Sequence, residues 1–288
     1  MTINKDLTII IVLYNSSKLI FDCLKELSNF KIIVVDNGKN NHLIDKIKKF
    51  QNIEKIISKN KNIGFGNAVN FAFEEIVTEY FLVLNPDIVI KENHVLELLK
   101  ISQLDKNCAI SAPYIPTDKD GYGIFPEKGK NVSRNLLEEK CSKNLENLLP
   151  DEIFCADVAK GCALLINSKH FKDVGMFSKE YFLFWEEIDL CRKFRKKKLS
   201  IIISPNAIGM HKQGSSSKNT LETFIKKTYH SEISPLYYFK VKKNSLNIYK
   251  KIFKYFFRTI LYFLILNFKK SLKNLLKLTA NINYLFLR

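Results

Sequence analysis

Three carboxylates fall within four positions, at Glu186, Glu187 and Asp189, directly behind the apolar and aromatic run Tyr181-Phe-Leu-Phe-Trp185. Carboxylates set against such a wall lose hydration, and their pKa rises unless partners or chemistry hold them there. A helix starting near Trp185 puts Glu186 and Asp189 on one face and turns Glu187 about 100° away. One carboxylate can then act as a base towards a pocket while the others cap the helix or hold the scaffold. The alternative is an acidic first turn that complements the helix dipole and is closed by the basic run Arg192 to Lys198. Further acids stand at Asp36 and at Asp87, the latter after Asn85-Pro86. Asp87 suits a hard divalent cation, which takes one or two carboxylates plus phosphate oxygens, or it is a turn former. His211 is a metal ligand or an ordinary loop histidine. The loop Asn60 to Asn67, with Gly64 and Gly66, either cradles phosphate at a helix N-terminus or is a tight turn. It is no dinucleotide fingerprint, since Val69 stands where the third Gly would be.

Something must bring these residues together. Leu7 to Leu13 is a short β-branched run, as expected of a strand buried on both faces of a parallel sheet. Lys31–Val35, Ile53–Ser58 and Tyr80–Leu84 repeat the pattern. The stretches Ser17–Leu27, Leu43–Phe50 and Asn67–Val77 between them read as helices. That alternation predicts a βαβ sheet, in which ligands sit outside the carboxyl ends of the strands. Asp36, Asp87 and the Tyr14-Asn15 turn all fall on that edge. Tyr114 to Pro150 reads as a loop-rich excursion, Asp157 to Ile166 as a strand containing Gly161, and Leu199 to Ser204 as another strand. Gly209 to Ser217 reads as a loop of small residues, and the chain is mostly helical from Lys218 on.

Composition narrows the class. The 288 residues are 46% hydrophobic and 26% charged, which excludes a disordered or collagen-like chain. Six scattered cysteines without a C-x-x-C pair suggest neither a zinc ribbon nor a disulfide framework and fit a reducing compartment. The N-terminus runs straight into a strand without a signal-peptide pattern, and this predicts a cytoplasmic domain. The net charge of +17 calls for an anionic partner.

The motifs resemble family 2 glycosyltransferases with the GT-A fold, in particular the bacterial rhamnosyltransferase-like branch. From Leu7 to about Ser217 they come in family order: Ile11 to Ser16, Val34 to Gly38, Asn62 to Asn70 and Leu84 to Asp87. Then follow Val158 to Leu165, Val174 to Phe177, Phe184 to Arg192 and His211 to Ser216. The resemblance implies an α/β fold with a mostly parallel nucleotide-binding sheet, helices on both faces, and amphipathic helices at the C-terminus. The implied domains are a catalytic one over 1–217 (nucleotide-sugar half 1–113, acceptor half 114–217) and a basic helical region over 218–288. Asp36 matches the acid that reads the pyrimidine, and Tyr14, Asn15 and Asn37 line the nucleotide pocket with Gly64, Gly66 and Asn67. Asn85-Pro86-Asp87 matches the D-x-D motif with Asn in its first place, so Asp87 is the main carboxylate for Mg²⁺ or Mn²⁺. His211 matches a histidine that completes the metal site in some relatives. Glu187 matches the general base, usually Asp. Gly161, Trp185, Glu186, Asp189 and Arg192 are supporting residues, and Ser178 stands where relatives usually carry Asp. The implied reaction is inverting transfer from a dTDP- or UDP-sugar to a glycan or polyprenyl-diphosphate-linked acceptor in surface polysaccharide synthesis.

From Ile233 to Arg288 the chain holds twelve Lys or Arg and no Asp or Glu. The apolar core after Arg258 is only ten residues, short of the roughly 20 a span needs. Aromatic residues interspersed with lysine predict a helix lying on an anionic membrane surface, which places the protein peripherally on the inner face of the cytoplasmic membrane. The alternative is a helix pair packed on the catalytic domain or on a twin subunit. No nucleic-acid recognition module is present. A nucleotidyltransferase-like enzyme and a non-catalytic basic protein are the competing function classes.

Overall fold

The computed structural model describes residues 4–14, 16, 19–38, 40–59, 61–116, 122–123, 153–211 and 220–286; side chains at 4, 5, 41, 122, 123 and 211 lie outside that description. Two units result. One comprises Met1–Ser178 and Glu187–Lys218, the other Lys179–Glu186 and Asn219–Arg288.

In the first unit the apolar runs become strands β1 (Asn4–Leu13), β2 (Phe30–Asp36), β3 (Ile53–Ser58) and β4 (Tyr80–Leu84). They stand parallel in the order β3-β2-β1-β4. Helices α1 (Ile20–Glu26), α2 (Asn41–Ile47) and α3 (Phe65–Phe73) connect them. Side chains alternate across a strand, so a strand covered on both sides must be apolar at every position. Ile9, Ile11 and Leu13 enter one core layer with Leu24, Ile44 and Ile47; Ile10 and Val12 enter the other with Ala68, Val69 and Ala72. Each fully buried Ile or Leu stabilises this sandwich by roughly 1.5–3 kcal/mol.

The chain continues through β5 (Ile88–Ile90), α4 (Glu92–Leu104), β6 (Cys108–Tyr114), β7 (Tyr122–Gly123), β8 (Phe154–Cys155), β9 (Val158–Ala159) and β10 (Ala163–Asn167). After α5 (Ser168–Asp173) and α6 (Glu186–Lys196), β11 (Ser200–His211) closes the sheet in the order β4-β10-β6-β11-β5. In the second half β6 and β11 are again parallel, while β10 is antiparallel to both β4 and β6, and β5 to β11.

Three expectations need correction. The strand foreseen over Asp157–Ile166 is two strands, broken at Lys160–Cys162 where the chain turns. The foreseen loop from Gly209 is strand as far as His211, because its backbone pairs with Ile88–Ile90. Helix α3 starts at Phe65 rather than Asn67, so Gly66 lies inside its first turn. Most of Tyr114–Pro150 and all of 212–217 lie outside the described residues.

The second unit holds α7 (Leu221–Tyr238), α8 (Leu246–Leu264) and α9 (Phe268–Phe286). Its small core comprises Ile233, Leu236, Ile248, Ala280 and Tyr284. Among the described residues no helix is long and apolar enough to cross a membrane.

Candidate active site

At the carboxyl edge of the parallel strands a hydrogen-bond cluster forms around Asn37. Its side-chain amide donates to Asn62 Oδ1 (2.9 Å) and to the Gly64 carbonyl (3.0 Å), while its Oδ1 accepts from the Ile63 N–H (2.9 Å). Asn62 Oδ1 also accepts from the Gly64 N–H at 2.9 Å. Gly64 adopts φ 90°, a left-handed conformation that a side chain would strain, and this lets the loop turn into α3. One buried amide thus ties the end of β2 to the turn ahead of α3.

Asp36 is buried, and its carboxylate is occupied by its own loop. Oδ1 accepts from Asn40 Nδ2 (2.6 Å) and the Gly38 N–H (3.2 Å), and Oδ2 from the Asn40 N–H (3.4 Å). Asn40 Oδ1 in turn accepts from the Ser16 N–H at 3.2 Å, and Ser16 Oγ from the Tyr14 N–H at 3.0 Å. Asn40 therefore joins the turn after β1 to the loop after β2. Sequence reasoning passed over it, although an Asn at the N-terminus of α2 was a visible capping signal. Asn15 lies outside the described residues.

Gly66 and Asn67 serve the helix rather than an open loop. A Cβ on Gly66 would stand 2.9 Å from the Cβ of Phe177, so only glycine lets α3 and that residue approach. Asn67 Nδ2 donates to the Ile63 carbonyl at 3.1 Å. A second unforeseen contact locks the same place: Asn70 donates to the Phe177 carbonyl (2.8 Å) and accepts its N–H (3.0 Å).

Asp87 is buried just past β4, in the turn where the Ile88 N–H reaches the Asn85 carbonyl at 3.1 Å. The Asn85 N–H donates to the Cys162 carbonyl at 2.9 Å. His211 places its backbone opposite Ile88, next to Asp87, while its side chain lies outside the described residues. Among the described residues no group of three His, Cys, Asp or Glu side chains gathers into a metal cage. One buried carboxylate and a neighbouring amide suit a hard cation that draws its remaining oxygens from a diphosphate and water.

Helix α6 explains the acidic stretch. Glu187, Leu190, Cys191 and Phe194 follow at i, i+3, i+4 and i+7, the spacing of one helix face. Leu190, Cys191 and Phe194 are fully buried in the core layer against the sheet. Glu187, half-buried, stands at the head of that stripe. It meets Gly161, where an added Cβ would lie 3.3 Å from the Glu187 Cβ. Its Oε2 is shut away from water and has no hydrogen-bond partner among the described residues. Burial raises its pKa above the ordinary value of 4.5; backbone hydrogen bonds and Lys160 pull the other way without offsetting it.

The other acids are built into the scaffold. Asp189, buried, accepts from Ser178 Oγ and from the Arg192 guanidinium, with Lys193 Nζ at 3.8 Å. Serine at 178 donates to Asp189, which a carboxylate there would instead repel. Glu186 is buried at the first position of α6. Trp185 belongs to the second unit, its ring against Tyr238 (5.0 Å between centroids) and Phe239 (5.5 Å). Phe184 and Trp185 both have positive φ, 67° and 71°, a conformation that costs a bulky residue about 1–3 kcal/mol. Ser234 Oγ, donating to the Leu183 carbonyl at 2.9 Å, and the Trp185 ring contacts hold that turn.

Comparison with known proteins gives the family and the fold. The model of the family described as Glycosyl transferase family 2 matches residues 8–158. A low-salt glycan biosynthesis hexosyltransferase of Haloferax volcanii is 29% identical over 211 residues, covering 69% of this chain and 65% of the relative. A rhamnosyltransferase of Escherichia coli K12 is 26% identical over 174 residues, covering 57% of this chain and 65% of the relative. The chain thus spans just under two thirds of the length of each. Among solved structures, a mannosyltransferase from Pyrobaculum calidifontis in complex with GDP-Man and Mn²⁺ superposes with a TM-score of 0.55 at 12% identity, covering 97% of this chain and 73% of that one.

Proposed function

The chain belongs to glycosyl transferase family 2, and on that premise we propose that it is an inverting transferase that moves a sugar from a dTDP- or UDP-sugar to a hydroxyl of a glycan or polyprenyl-diphosphate-linked acceptor. Its fold is of the GT-A type. The observation that carries the reading is the Glu187 carboxylate, placed at the head of a buried helix stripe with its pKa raised.

Inverting transfer needs a base to take the acceptor's proton as its oxygen attacks the anomeric carbon and the bond from that carbon to the diphosphate oxygen breaks. Glu187 suits this task. A carboxylate with little hydration and a raised pKa accepts a proton near neutral pH more readily than an exposed one. Gly161 leaves the space beside it. The Asn37 cluster and the Asp36 loop shape the nucleotide side, with Tyr14 and Asn15 on the turn after β1. Asp87, with Asn85 and His211, would hold Mg²⁺ or Mn²⁺. When bound, such a cation stabilises the charge gathering on the departing diphosphate.

Asp87 and Glu187 approach the reaction through one piece of backbone. Asn85 hydrogen-bonds to Cys162, and the neighbouring Gly161 packs on Glu187. The turn ahead of β10 therefore supports both the diphosphate side and the base side. We assign the E. coli and H. volcanii relatives' kind of chemistry, hexosyl or rhamnosyl transfer, to this site, and surface polysaccharide at the inner face of the cytoplasmic membrane as its setting.

The test is a thermal-shift screen of nucleoside-diphosphate sugars with Mn²⁺ and with EDTA, followed by a transfer assay on the stabilising donor. Stabilisation by one dTDP- or UDP-sugar, lost in EDTA, is expected. A protein that no sugar nucleotide stabilises would overturn the reading.

A further inference from the structure

Helix α8 has three faces. Ile248 and Tyr255 turn inward, buried. Phe253, Phe256, Phe257, Ile260, Phe263 and Leu264 line the adjoining face, all exposed, with Leu264 at 71% and Phe253 at 65%. Lys250, Lys254 and Arg258 occupy the third, also exposed. The apolar face continues over the tip into Ile265, Leu266 and Phe268. Exposed large side chains scattered singly are ordinary, but a contiguous aromatic patch marks an interaction surface. The rings already touch one another, with Phe253 and Phe257 at 4.4 Å and Phe263 and Phe268 at 5.8 Å between centroids.

Beside the apolar core, one buried acid pins this hairpin's inner side. Glu232 on α7 is buried and accepts from Lys251 Nζ (3.0 Å), Tyr255 Oη (3.0 Å) and Asn281 Nδ2 (3.2 Å), with Lys277 Nζ at 3.3 Å. Those two lysines are turned inward and neutralised. The bases on the outer face are not among the partners of Glu232, and no acid occurs from Ile233 to Arg288.

We propose that the outer face of the α8–α9 hairpin is a docking surface for an anionic phospholipid bilayer, with the Phe and Ile side chains entering the headgroup–acyl boundary and Lys250, Lys254 and Arg258 resting on acidic headgroups. A helix with a broad apolar face flanked by bases lies in the membrane interface, where each base near an anionic surface strengthens binding. A second copy of this chain fits the face less well: its patch carries the same positive rim and no acid to meet it. The proposal stands apart from the catalytic reading and does not depend on it.

The test is co-sedimentation of the full chain with phosphatidylcholine vesicles with and without phosphatidylglycerol. Binding at least about tenfold tighter to the anionic vesicles, weakened by salt, is expected. The triple variant Lys250→Glu, Lys254→Glu, Arg258→Glu is expected to lose most of that preference. Phe253→Ser with Phe257→Ser is expected to release the protein from both vesicles with an unchanged melting temperature, since both residues are exposed. Equal binding to the two vesicles, or none, overturns the proposal. So does a concentration-dependent dimer in light scattering that the Phe variants abolish while vesicles are ignored, which would assign the face to a second copy. Should the Phe variants fail to fold, the charge reversal and the salt series decide alone.

Discussion

Gly161 and Glu187 are in van der Waals register: a methyl group on Gly161 would stand 3.3 Å from the Cβ of Glu187 and 3.5 Å from its Cγ. The carboxylate at the head of α6 therefore has its position set by the absence of a side chain on a different element. An alanine at 161 would therefore press on Glu187 more closely than ordinary packing allows, unless that side chain gives by a few tenths of an ångström.

Gly161→Ala follows directly from this clearance. The added methyl displaces the Glu187 side chain, and a small misplacement of a catalytic group costs up to about a hundredfold in rate. The expected outcome is a kcat loss of about ten- to a hundredfold, with donor KM and the melting temperature nearly unchanged. Steady-state kinetics beside a thermal melt checks it, and an unaltered kcat would count against Glu187 as the base.

Glu187→Gln removes the proposed base at nearly constant shape. A base of this kind contributes about 10²–10⁴-fold in rate, and a loss of that size in kcat is expected with donor binding retained. The pH behaviour gives a second readout. The folded-state pKa is raised, so the folded chain holds a proton that the unfolded chain releases above about 4.5. Stability of the native protein therefore falls as pH rises from 4.5 through the folded pKa, and Glu187→Gln should abolish that part of the fall. The wild-type kcat/KM should climb over the same window as the base ionises.

Asn37→Ala cuts three hydrogen bonds that join the end of β2 to the turn before α3. At about 1 kcal/mol each, partly replaced by water, the loss should destabilise the first unit by roughly 2 kcal/mol in urea titration. Donor affinity should fall about tenfold while the rate at saturating donor changes less. Unchanged donor affinity would separate this loop from the nucleotide.

Glu232→Gln acts on the second unit. Burial works to raise this carboxyl's pKa, but Lys251, the hydrogen bonds from Lys251 and Asn281, and Lys277 together hold it below the ordinary value. The stability it contributes is present above about 4.5 and is lost as pH falls through the depressed folded pKa. The variant leaves two lysines facing a neutral amide. A cost of about 2 kcal/mol is expected at neutral pH, below the 3–5 typical of a fully buried pair because the lysines are partly in water. Urea titration monitored by helix content would read it, and the cost should vanish in acid.

Much of this protein was legible without coordinates. Uninterrupted apolar runs such as Leu7–Leu13 and Tyr80–Leu84 are satisfied by strands covered on both faces, so the α/β sheet followed from local pattern. The carboxylates and the absence of acids after Ile233 were equally plain. What local pattern could not supply was the partner of each group. Asp36 turned out to hold its own loop through Asn40, Gly66 to accommodate Phe177, and Asp189 to bind Ser178 and Arg192, because a side chain's role depends on what reaches it from distant sequence.

The sequence determined which faces must be buried: the stripe Glu187, Leu190, Cys191, Phe194 was already written at helical spacing. Only the tertiary structure decided that its first member meets a glycine across from it, since that contact joins residues 26 positions apart and no local preference encodes such a meeting. The same division holds for the C-terminal helices. Composition announced that they are basic and aromatic, while the buried Glu232 chose which lysines turn inward and which face stays open.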